Sequence, residues 1–259
     1  MCLILVGIHA RPGQRLLLLA NRDEFHARAA VAAAPWQENA AVVGGRDQVA
    51  GGSWLAVHGS GRFAAVTNLR NGPPKPTPRS RGDLVRDFVL GQVDAQTYLD
   101  ELRPQMDQFA PFNLIVGAGD QVLVLDGSSR QIRQLTPGLH AISNGPLDQD
   151  WPKMRRIRTQ VQTALERDVP TLELLKILRD GQQAPDAQLP DTGFGLEWER
   201  VLSSIFITGQ DYGTRASTVL EQADDGRIDL IEQRFGPMAS LQGRDHWQHS
   251  SADGTWRPS

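Results

Sequence analysis

The segment CLILVGIHARPGQRLLLLANRDE, residues 2–24, decides the fold of this 259-residue chain. Residues 3–8 and 16–20 are continuous apolar runs, as expected of strands buried on both faces, and a Pro-Gly turn signal separates them. The pattern predicts a β-hairpin. Because the free ends of an antiparallel hairpin lie side by side, Cys2 is expected next to the polar residues 21–24.

The rest of the chain alternates blocks of predicted strands with blocks of predicted helices. Further strands are predicted at residues 41–44, 54–58, 63–67, 112–117, 121–126, 131–135, 204–208, 214–221 and 227–233. Helices are predicted at residues 82–90, 95–102, 153–166 and 171–178. Hairpins dominate, so the sequence predicts an α+β domain over residues 1–241, with two mainly antiparallel sheets and helices packed outside them. Residues 242–259 are expected to form a polar C-terminal tail.

Composition excludes several classes of partner. The net charge of -3 gives no reason to expect nucleic acid binding, and no apolar stretch has the length of a membrane span. One cysteine excludes an intramolecular disulfide. His246 and His249 are three residues apart but lie in the predicted tail, and the other histidines show no metal-ligand spacing. A lone cysteine without an export signal indicates a cytoplasmic protein.

Cys2 is the first candidate for chemistry. Removal of Met1 would leave a thiol and an α-amine on the same residue. An α-amine has an ordinary pKa slightly above neutral, so its unprotonated fraction can accept the thiol proton and generate a nucleophilic thiolate. The alternative is that Cys2 is only a small buried residue at the start of a strand.

Other polar residues follow predicted strands. Residues 21–24 offer a carboxylate that could hold a protonated amine at Cys2, and an arginine that could bind an oxyanion. Asn68 and Asn144 come after apolar stretches, and one amide donor in an oxyanion hole contributes about 3 kcal/mol. Isolated asparagines are also common turn residues. Arg215 enters a predicted strand, so it is expected to be paired or to face a cleft.

A possible anion site occurs where a predicted helix begins. The helix opens with Ser80-Arg81-Gly82-Asp83, and Lys75 and Arg79 are close in sequence. A helix N-terminus with nearby cations favours an anion. The alternative is a solvated basic loop.

The chain resembles the NRDE family in seven motifs spread over residues 1–233. These motifs are Met1-Cys2, Asn21-Arg22-Asp23-Glu24, Gly51-Gly52-Ser53-Trp54-Leu55, Thr67-Asn68-Leu69-Arg70, Ser80-Arg81-Gly82, Ile142-Ser143-Asn144 and Tyr212-Gly213-Thr214-Arg215. The family is similar to the cysteine branch of the N-terminal nucleophile hydrolases, which contains penicillin V acylase and bile salt hydrolase. The resemblance implies a four-layer αββα sandwich.

The resemblance also implies roles for individual residues. Cys2 would be the nucleophile and Asp23 would contact its α-amine, while Asn68 and Asn144 would stabilise the oxyanion and Arg215 would organise the site. The candidate substrate-binding residues are Asn21, Arg22, Arg70 and Arg81. The chain departs from the cysteine branch at Ala20, near which that branch usually has an arginine; Arg22 or Arg70 are the candidates to substitute for it.

Two functions follow from the resemblance. The first is hydrolysis of a small-molecule acyl amide, a non-peptide C–N bond, without a cofactor. The second is a non-catalytic protein that binds and moves haem or an acyl-CoA or other lipid in the same cleft. In that case residues 79–82 would suit a propionate or phosphate group, and Cys2 could ligate the haem iron.

Overall fold

The computed structural model describes residues 2–70, 76–250 and 254–259. Its strands are β1 Cys2–Arg11, β2 Gln14–Phe25, β3 Ala30–Pro35, β4 Val42–Asp47, β5 Leu55–His58, β6 Phe63–Asn68, β7 Phe112–Ala118, β8 Gln121–Leu125, β9 Ile132–Gln134, β10 Gly138–Ile142, β11 Tyr212–Ala223, β12 Ile228–Phe235, β13 Leu241–His249 and β14 Trp256–Pro258. Its α-helices are α1 Arg81–Leu90, α2 Ala95–Leu102, α3 Pro152–Glu166 and α4 Leu196–Leu202. Short 3-10 segments cover Arg103–Gln108, Thr171–Arg179, Asp186–Gln188 and Pro237–Ala239.

The strands form two antiparallel sheets. One has the order β10-β1-β2-β11-β12-β13-β14, and the other runs β3-β4-β5-β6-β7-β8-β9 in chain order. The first sheet therefore has the N-terminal hairpin near its centre, with β10 on one side and β11 on the other. This placement explains the continuous apolar runs at residues 3–8 and 16–20, since both faces of these strands are covered.

Alternate residues of β1 enter different cores. Ile4 and Val6 pack between the two sheets. Leu3 and Leu5 face the opposite way and pack in a core that contains Ile157 of α3. This alternation is the two-residue period of a strand.

The second sheet is covered by helices on its outer face. Phe88 of α1 and Leu99 of α2 pack with Leu114 of β7 in a separate core. The order of layers is therefore helices, sheet, sheet, helices, and this confirms the predicted α+β class and αββα arrangement. No helix in the described parts of the chain has the combined length and apolar character needed to cross a membrane.

The C-terminal segment corrects the sequence prediction. Residues expected to form a polar tail instead form β13 and β14 of the first sheet. Their side chains are mostly polar because these strands lie at the sheet edge, and two indoles hold them in place. Trp247 Nε1 donates to Ala33 O and Trp256 Nε1 donates to Ala41 O, each at 2.8 Å.

Four other segments differ from prediction. Residues 204–208 are not a strand, since the Ile205 carbonyl binds the Asn21 side chain and the Ile207 amide binds Thr214 Oγ1. Thr171–Arg179 is a 3-10 segment and not the predicted α-helix. The strands β3 and β10 were not predicted, because each carries few fully buried residues.

Candidate functional site

The site is built around the first residue of β1. The register pairs Cys2 with Arg22 on β2, which confirms that the hairpin brings residue 2 to the polar end of the second strand. On the other side, β1 pairs with β10 at Ile4 and Ile142. The β10 strand ends at Ile142, two residues before Asn144.

Hydrogen bonds tie the exits of β6 and β10 together across the two sheets. Thr67 Oγ1 donates to Ser143 O at 2.7 Å, and Asn144 Nδ2 donates to Asn68 O at 2.8 Å. The Arg70 amide donates to Asn144 O at 2.7 Å. Both predicted oxyanion asparagines therefore lie together, at or just beyond the ends of β6 and β10.

Asp23 is a buried carboxyl group next to this point. Its Oδ1 accepts a hydrogen bond of 2.6 Å from Thr214 Oγ1, and the register pairs these two residues on β2 and β11. Burial raises the pKa of Asp23 above its ordinary value, while the Lys153 ammonium is the strongest influence in the opposite direction. In its ionised form, such a carboxyl group could hold an ammonium group at the start of β1.

Three other charged side chains of the site are also buried. Arg70 forms an ion pair of 3.2 Å with Glu199, and their side chains are 5% and 4% exposed. Lys153, 1% exposed, donates from Nζ to Leu202 O at 3.0 Å.

Sequence analysis missed two members of this group, Lys153 and Glu199. The only available signal was that a lysine in the first turn of a predicted helix opposes the helix dipole. The contact of Glu199 with Arg70 joins residues 129 positions apart, so no local pattern reveals it.

Arg22 lies on the other face of β2, between the sheets. It is 5% exposed, and its guanidinium carbon lies 4.4 Å from the centre of the Trp54 ring. Its nearest carboxylate oxygen is Asp47 Oδ2 at 4.0 Å, and within the described residues its guanidinium makes no hydrogen bond. A buried cation with this little hydrogen bonding is uncommon, and it marks a place where a ligand can complete the site.

The Arg22 side chain lines a cleft of about 180 Å³, which also contains Asn68, Ser80 and Arg81. Ser80 caps α1, because its Oγ accepts a hydrogen bond of 3.2 Å from the Gly82 amide. The structure therefore places Arg81 and the first turn of α1 beside Arg22. This arrangement suits an anionic group of a ligand.

Arg79, another predicted cation near α1, also lines this cleft. Arg79 forms an ion pair of 3.0 Å with Asp87 and stacks on Phe109. Lys75 lies outside the described residues.

Asn21 is a correction to the predicted set. Its side chain is fully buried, and Nδ2 donates to the carbonyl oxygens of Leu178 and Ile205, each at 2.8 Å. Its Oδ1 accepts a hydrogen bond of 2.6 Å from Ser217 Oγ. Asn21 therefore anchors the 3-10 segment and the chain after α4 to the sheet, and it does not present its amide to a substrate.

Arg215 lies at a bulge in β11 and contacts the loop that follows β2. Its guanidinium donates to Phe25 O at 3.3 Å and to Arg28 O. Burial lowers the pKa of Arg215, and the nearby Arg22 charge acts in the same direction. It holds the backbone just beyond residues 21–24, which is a positioning role.

A larger cleft of about 890 Å³ borders the site at Arg70 and Gly145. Trp151 lies on one side of it, and residues 188–192 form the other side. In the described ranges no three histidine, cysteine or carboxylate side chains converge as metal ligands. The described side chains of the site offer carboxyl, amide, guanidinium and ammonium groups.

The fold and site define the class as a four-layer αββα protein whose polar centre surrounds the beginning of its first strand. The chain belongs to the Transport and Golgi organisation 2 family, whose model matches residues 1–237. It is 30% identical to the human Transport and Golgi organization protein 2 homolog, over 96% of each chain. It is 32% identical to the Bos taurus homolog, over 90% of this chain and 92% of that one. The resemblance recognised from the motifs is thereby confirmed.

A solved structure similar to this chain is the Caenorhabditis elegans N-acylethanolamine-hydrolyzing acid amidase (NAAA) ortholog. The TM-score is 0.48 at 13% sequence identity, and the match covers 85% of this chain and 92% of that chain.

Proposed function

We propose that this chain is an N-terminal-cysteine hydrolase that cleaves a non-peptide acyl-amide bond with Cys2 as nucleophile. The observation that supports this most is the pairing of β1, in which Cys2 lies opposite Arg22 on β2 and Ile4 lies opposite Ile142, the last residue of β10. The only cysteine of the chain thus begins the strand around which the polar groups gather. The proposal includes removal of Met1, and a reducing cytoplasm would keep the thiol free.

The reaction proceeds in two steps. The α-amine of Cys2 accepts the thiol proton, and the thiolate attacks the amide carbonyl to give a tetrahedral oxyanion. Collapse expels the amine, which takes the proton, and leaves a thioester on Cys2. Water then attacks the thioester, releases the carboxylic acid and restores the thiol.

Neighbouring side chains would assist both steps. Asp23 would hold and orient the α-amine. Asn68 and Asn144 would donate hydrogen bonds to the oxyanion; within the described residues Asn144 Nδ2 is used by Asn68 O, and a second hydrogen remains on that nitrogen. Each such donor contributes about 3 kcal/mol to the rate.

Substitution of Cys2 tests the proposal. We expect protein that has lost Met1 to hydrolyse members of a panel of N-acyl amides, and we expect Cys2→Ala to abolish that turnover. The assay monitors release of the amine, and intact mass establishes whether Met1 is absent. Folded, processed protein without turnover on any member of the panel would contradict the proposal, as would equal turnover by Cys2→Ala.

A second candidate function is binding of haem or an acyl-CoA without catalysis. The observation that favours it is the buried Arg22 guanidinium, which lines the cleft beside Arg81 and the first turn of α1. Haem propionates and acyl-CoA phosphates are anions that such a cleft would attract. In this case the same site holds its ligand without breaking a bond.

Substitution of Arg22 tests whether an anionic ligand binds at this arginine or is held only by nonspecific electrostatic attraction. We expect Arg22→Met to weaken binding of haem or palmitoyl-CoA at least tenfold, about 1.4 kcal/mol, because the buried charge is lost. Arg158→Met is the matched control, since Arg158 lies on the surface with Asp150. Calorimetric titration measures both, and equal affinity in Arg22→Met and wild type would exclude Arg22 as the ligand contact.

A further inference from the structure

The larger cleft, of about 890 Å³, is continuous with the asparagine pair of the candidate site. Leu69 and Arg70 line the cleft, and they follow Asn68 at the end of β6. Gly145 also lines it and follows Asn144 in the chain. The Arg70 amide donates to Asn144 O at 2.7 Å, and Asn144 Nδ2 donates to Asn68 O at 2.8 Å. The two asparagines therefore lie at the border of this cleft.

One wall of the cleft is the indole of Trp151. Its Nε1 already donates to Gln149 Oε1 at 3.0 Å, and the Arg70 guanidinium carbon lies 5.1 Å from the ring centre. Gly145 allows the ring to approach the chain after Asn144, because a Cβ on Gly145 would lie 2.6 Å from Cζ2 of the indole. Trp151 is thus fixed from several sides, and its ring offers a rigid apolar surface.

The opposite wall, residues 188–192, is held by one buried carboxylate. Glu199 Oε1 accepts a hydrogen bond of 2.9 Å from the Thr192 amide and another from the Thr192 hydroxyl. Glu199 Oε2 pairs with Arg70 at 3.2 Å. Residues 189–192 lie in neither a helix nor a strand, so these contacts are what join the wall to the exit of β6. Glu199 therefore sets the distance between the two walls.

The lining of the cleft favours an apolar ligand group. Charged side chains at its rim are engaged with protein groups: Arg155 donates to Asp150 O, Asp150 pairs with Arg158 at 2.7 Å, and Asp191 accepts a hydrogen bond of 3.1 Å from the Gly193 amide. Apolar side chains line both walls, namely Leu69, Pro146, Trp151, Leu189 and Pro190. An apolar group between these walls would lose contact with water on both sides.

The smaller cleft, of about 180 Å³, has the opposite character. Asn68 lines it together with Arg22 and Arg81, whereas Leu69, the next residue, lines the larger cleft. Successive residues of an extended chain point to opposite sides, so the end of β6 separates the two clefts. A substrate whose amide lies at the asparagines would meet guanidinium groups on one side and a wider cleft with apolar walls on the other.

We propose that the larger cleft binds the acyl chain of the substrate between Trp151 and Leu189, and that Glu199 is the positioning residue that holds the wall containing Leu189. This inference rests on the proposed function and names its substrate class, an N-acyl amide with an extended apolar acyl chain. A cleft of this volume is of the size that encloses a whole small-molecule ligand. The acid released by hydrolysis keeps the chain and would bind in the same cleft.

Binding of this acid tests the inference without turnover. Hexanoate, octanoate and decanoate are titrated calorimetrically into the folded Cys2→Ala chain. We expect the affinity to rise about fourfold for each methylene that enters the cleft. Leu189→Asp should weaken decanoate binding about tenfold, because it places a charge in the wall. Leu241→Asp is the matched control, since Leu241 is 62% exposed on β13 and does not line the cleft.

A second pair of variants tests the role of Glu199. Thr192→Val keeps the side-chain volume and removes the hydroxyl that donates to Glu199. We expect it to weaken decanoate binding about fivefold and to leave hexanoate binding unchanged, because the loosened wall contacts the far part of the chain. Thr159→Val is the control, since the Thr159 hydroxyl donates to Arg155 O on the exposed face of α3.

Three results would overturn the proposal. Decanoate that binds no more tightly than hexanoate would remove the acyl chain from the cleft, as would equal decanoate affinity in Leu189→Asp and Leu241→Asp. Thr192→Val that binds both acids as Thr159→Val does would remove Glu199 as the positioning residue. If Leu189→Asp does not fold, Leu189→Gln replaces it, and if neither folds, the threonine pair decides.

The titration uses neither an amide nor the thiol, so its result is independent of hydrolysis. Binding that depends on chain length and on Leu189, together with absent amide turnover, would refute the hydrolase function and keep the acyl-chain cleft. Amide turnover by a protein whose binding does not depend on chain length would keep the hydrolase and refute the cleft assignment.

Discussion

Replacement of Arg70 by methionine is expected to lower the free energy of unfolding by about 3–5 kcal/mol. Methionine fills much of the arginine volume, but it leaves the Glu199 carboxylate buried without its partner at 3.2 Å. The change also removes the stacking of the guanidinium on Trp151 and a hydrogen bond of 3.3 Å to Leu202 O. A buried charge that loses its partner costs far more than a surface ion pair contributes.

Urea unfolding followed by fluorescence measures this effect. Arg79→Met is the matched control: Arg79 also pairs with a carboxylate and stacks on an aromatic ring, but both partners in its ion pair are 35% exposed. We expect a loss below about 1 kcal/mol there. The double variant Arg70→Met/Glu199→Met should recover part of the lost stability. Equal stability losses in Arg70→Met and Arg79→Met would contradict the claim that breaking the buried Arg70–Glu199 pair costs more than breaking a surface ion pair.

Replacement of Glu232 by glutamine is expected to stabilise the protein at alkaline pH by about 3 kcal/mol. Glu232 on β12 is buried between the sheets, where its Oε1 accepts a hydrogen bond of 2.8 Å from the Ala33 amide. Burial raises the pKa of Glu232 to about 7, although Arg234 and Arg22 act in the opposite direction. Glutamine keeps the acceptor for Ala33 and carries no charge.

The sign of the pH dependence follows from this raised pKa. The folded state binds the Glu232 proton more tightly than the unfolded state, so the contribution to stability is fully present below the ordinary glutamate pKa. It is lost as the pH rises through about 7, the value in the folded state. Denaturant unfolding at pH 4.5 and at pH 8 should therefore show a stability difference between Glu232→Gln and wild type only at the higher pH.

Glu166→Gln controls for removal of one negative charge, because Glu166 is exposed on α3. It should change stability equally at both pH values. A Glu232→Gln variant with the same pH dependence as wild type would show that Glu232 does not titrate near neutral pH in the folded protein.

Local sequence patterns were sufficient for the part of the fold that positions the site. The apolar runs of β1 and β2 and the turn between them set the hairpin, and the hairpin fixes the pairing of Cys2 with Arg22. Patterns failed for β13 because a strand beside the short edge strand β14 needs few apolar residues. What fixes β13 is its ladder with β12 and the Trp247 contact. Those contacts join distant parts of the chain.

The candidate site, like the fold, could be predicted from local sequence patterns only in part. Asn21 and Arg22 are neighbours in one motif, yet strand alternation sends their side chains to opposite faces of the sheet, Asn21 toward the 3-10 segment and Arg22 toward Trp54. The motif identifies both residues but does not say which one meets a ligand. Lys153 has no motif at all. Its burial depends on how α3 packs against its neighbours, which no local pattern encodes.

The cysteine branch usually has an arginine near the position of Ala20, and this chain lacks it. Of the two arginines considered as substitutes, Arg70 lies with Lys153 in the charge group around Asp23, whereas Arg22 lies between the sheets. The positive charge near Asp23 therefore comes from the exit of β6 and from α3, and not from β2.

The most direct test of the central claim is the mass of the N-terminal peptide during turnover. Protein quenched in acid while it hydrolyses an N-acyl amide is digested, and its first peptide is weighed with and without hydroxylamine, which cleaves thioesters. Our account predicts a peptide that begins at Cys2 and carries one acyl group, and that hydroxylamine removes the group. A peptide that retains Met1, or a processed peptide that never carries the acyl group while amide is being hydrolysed, would contradict it.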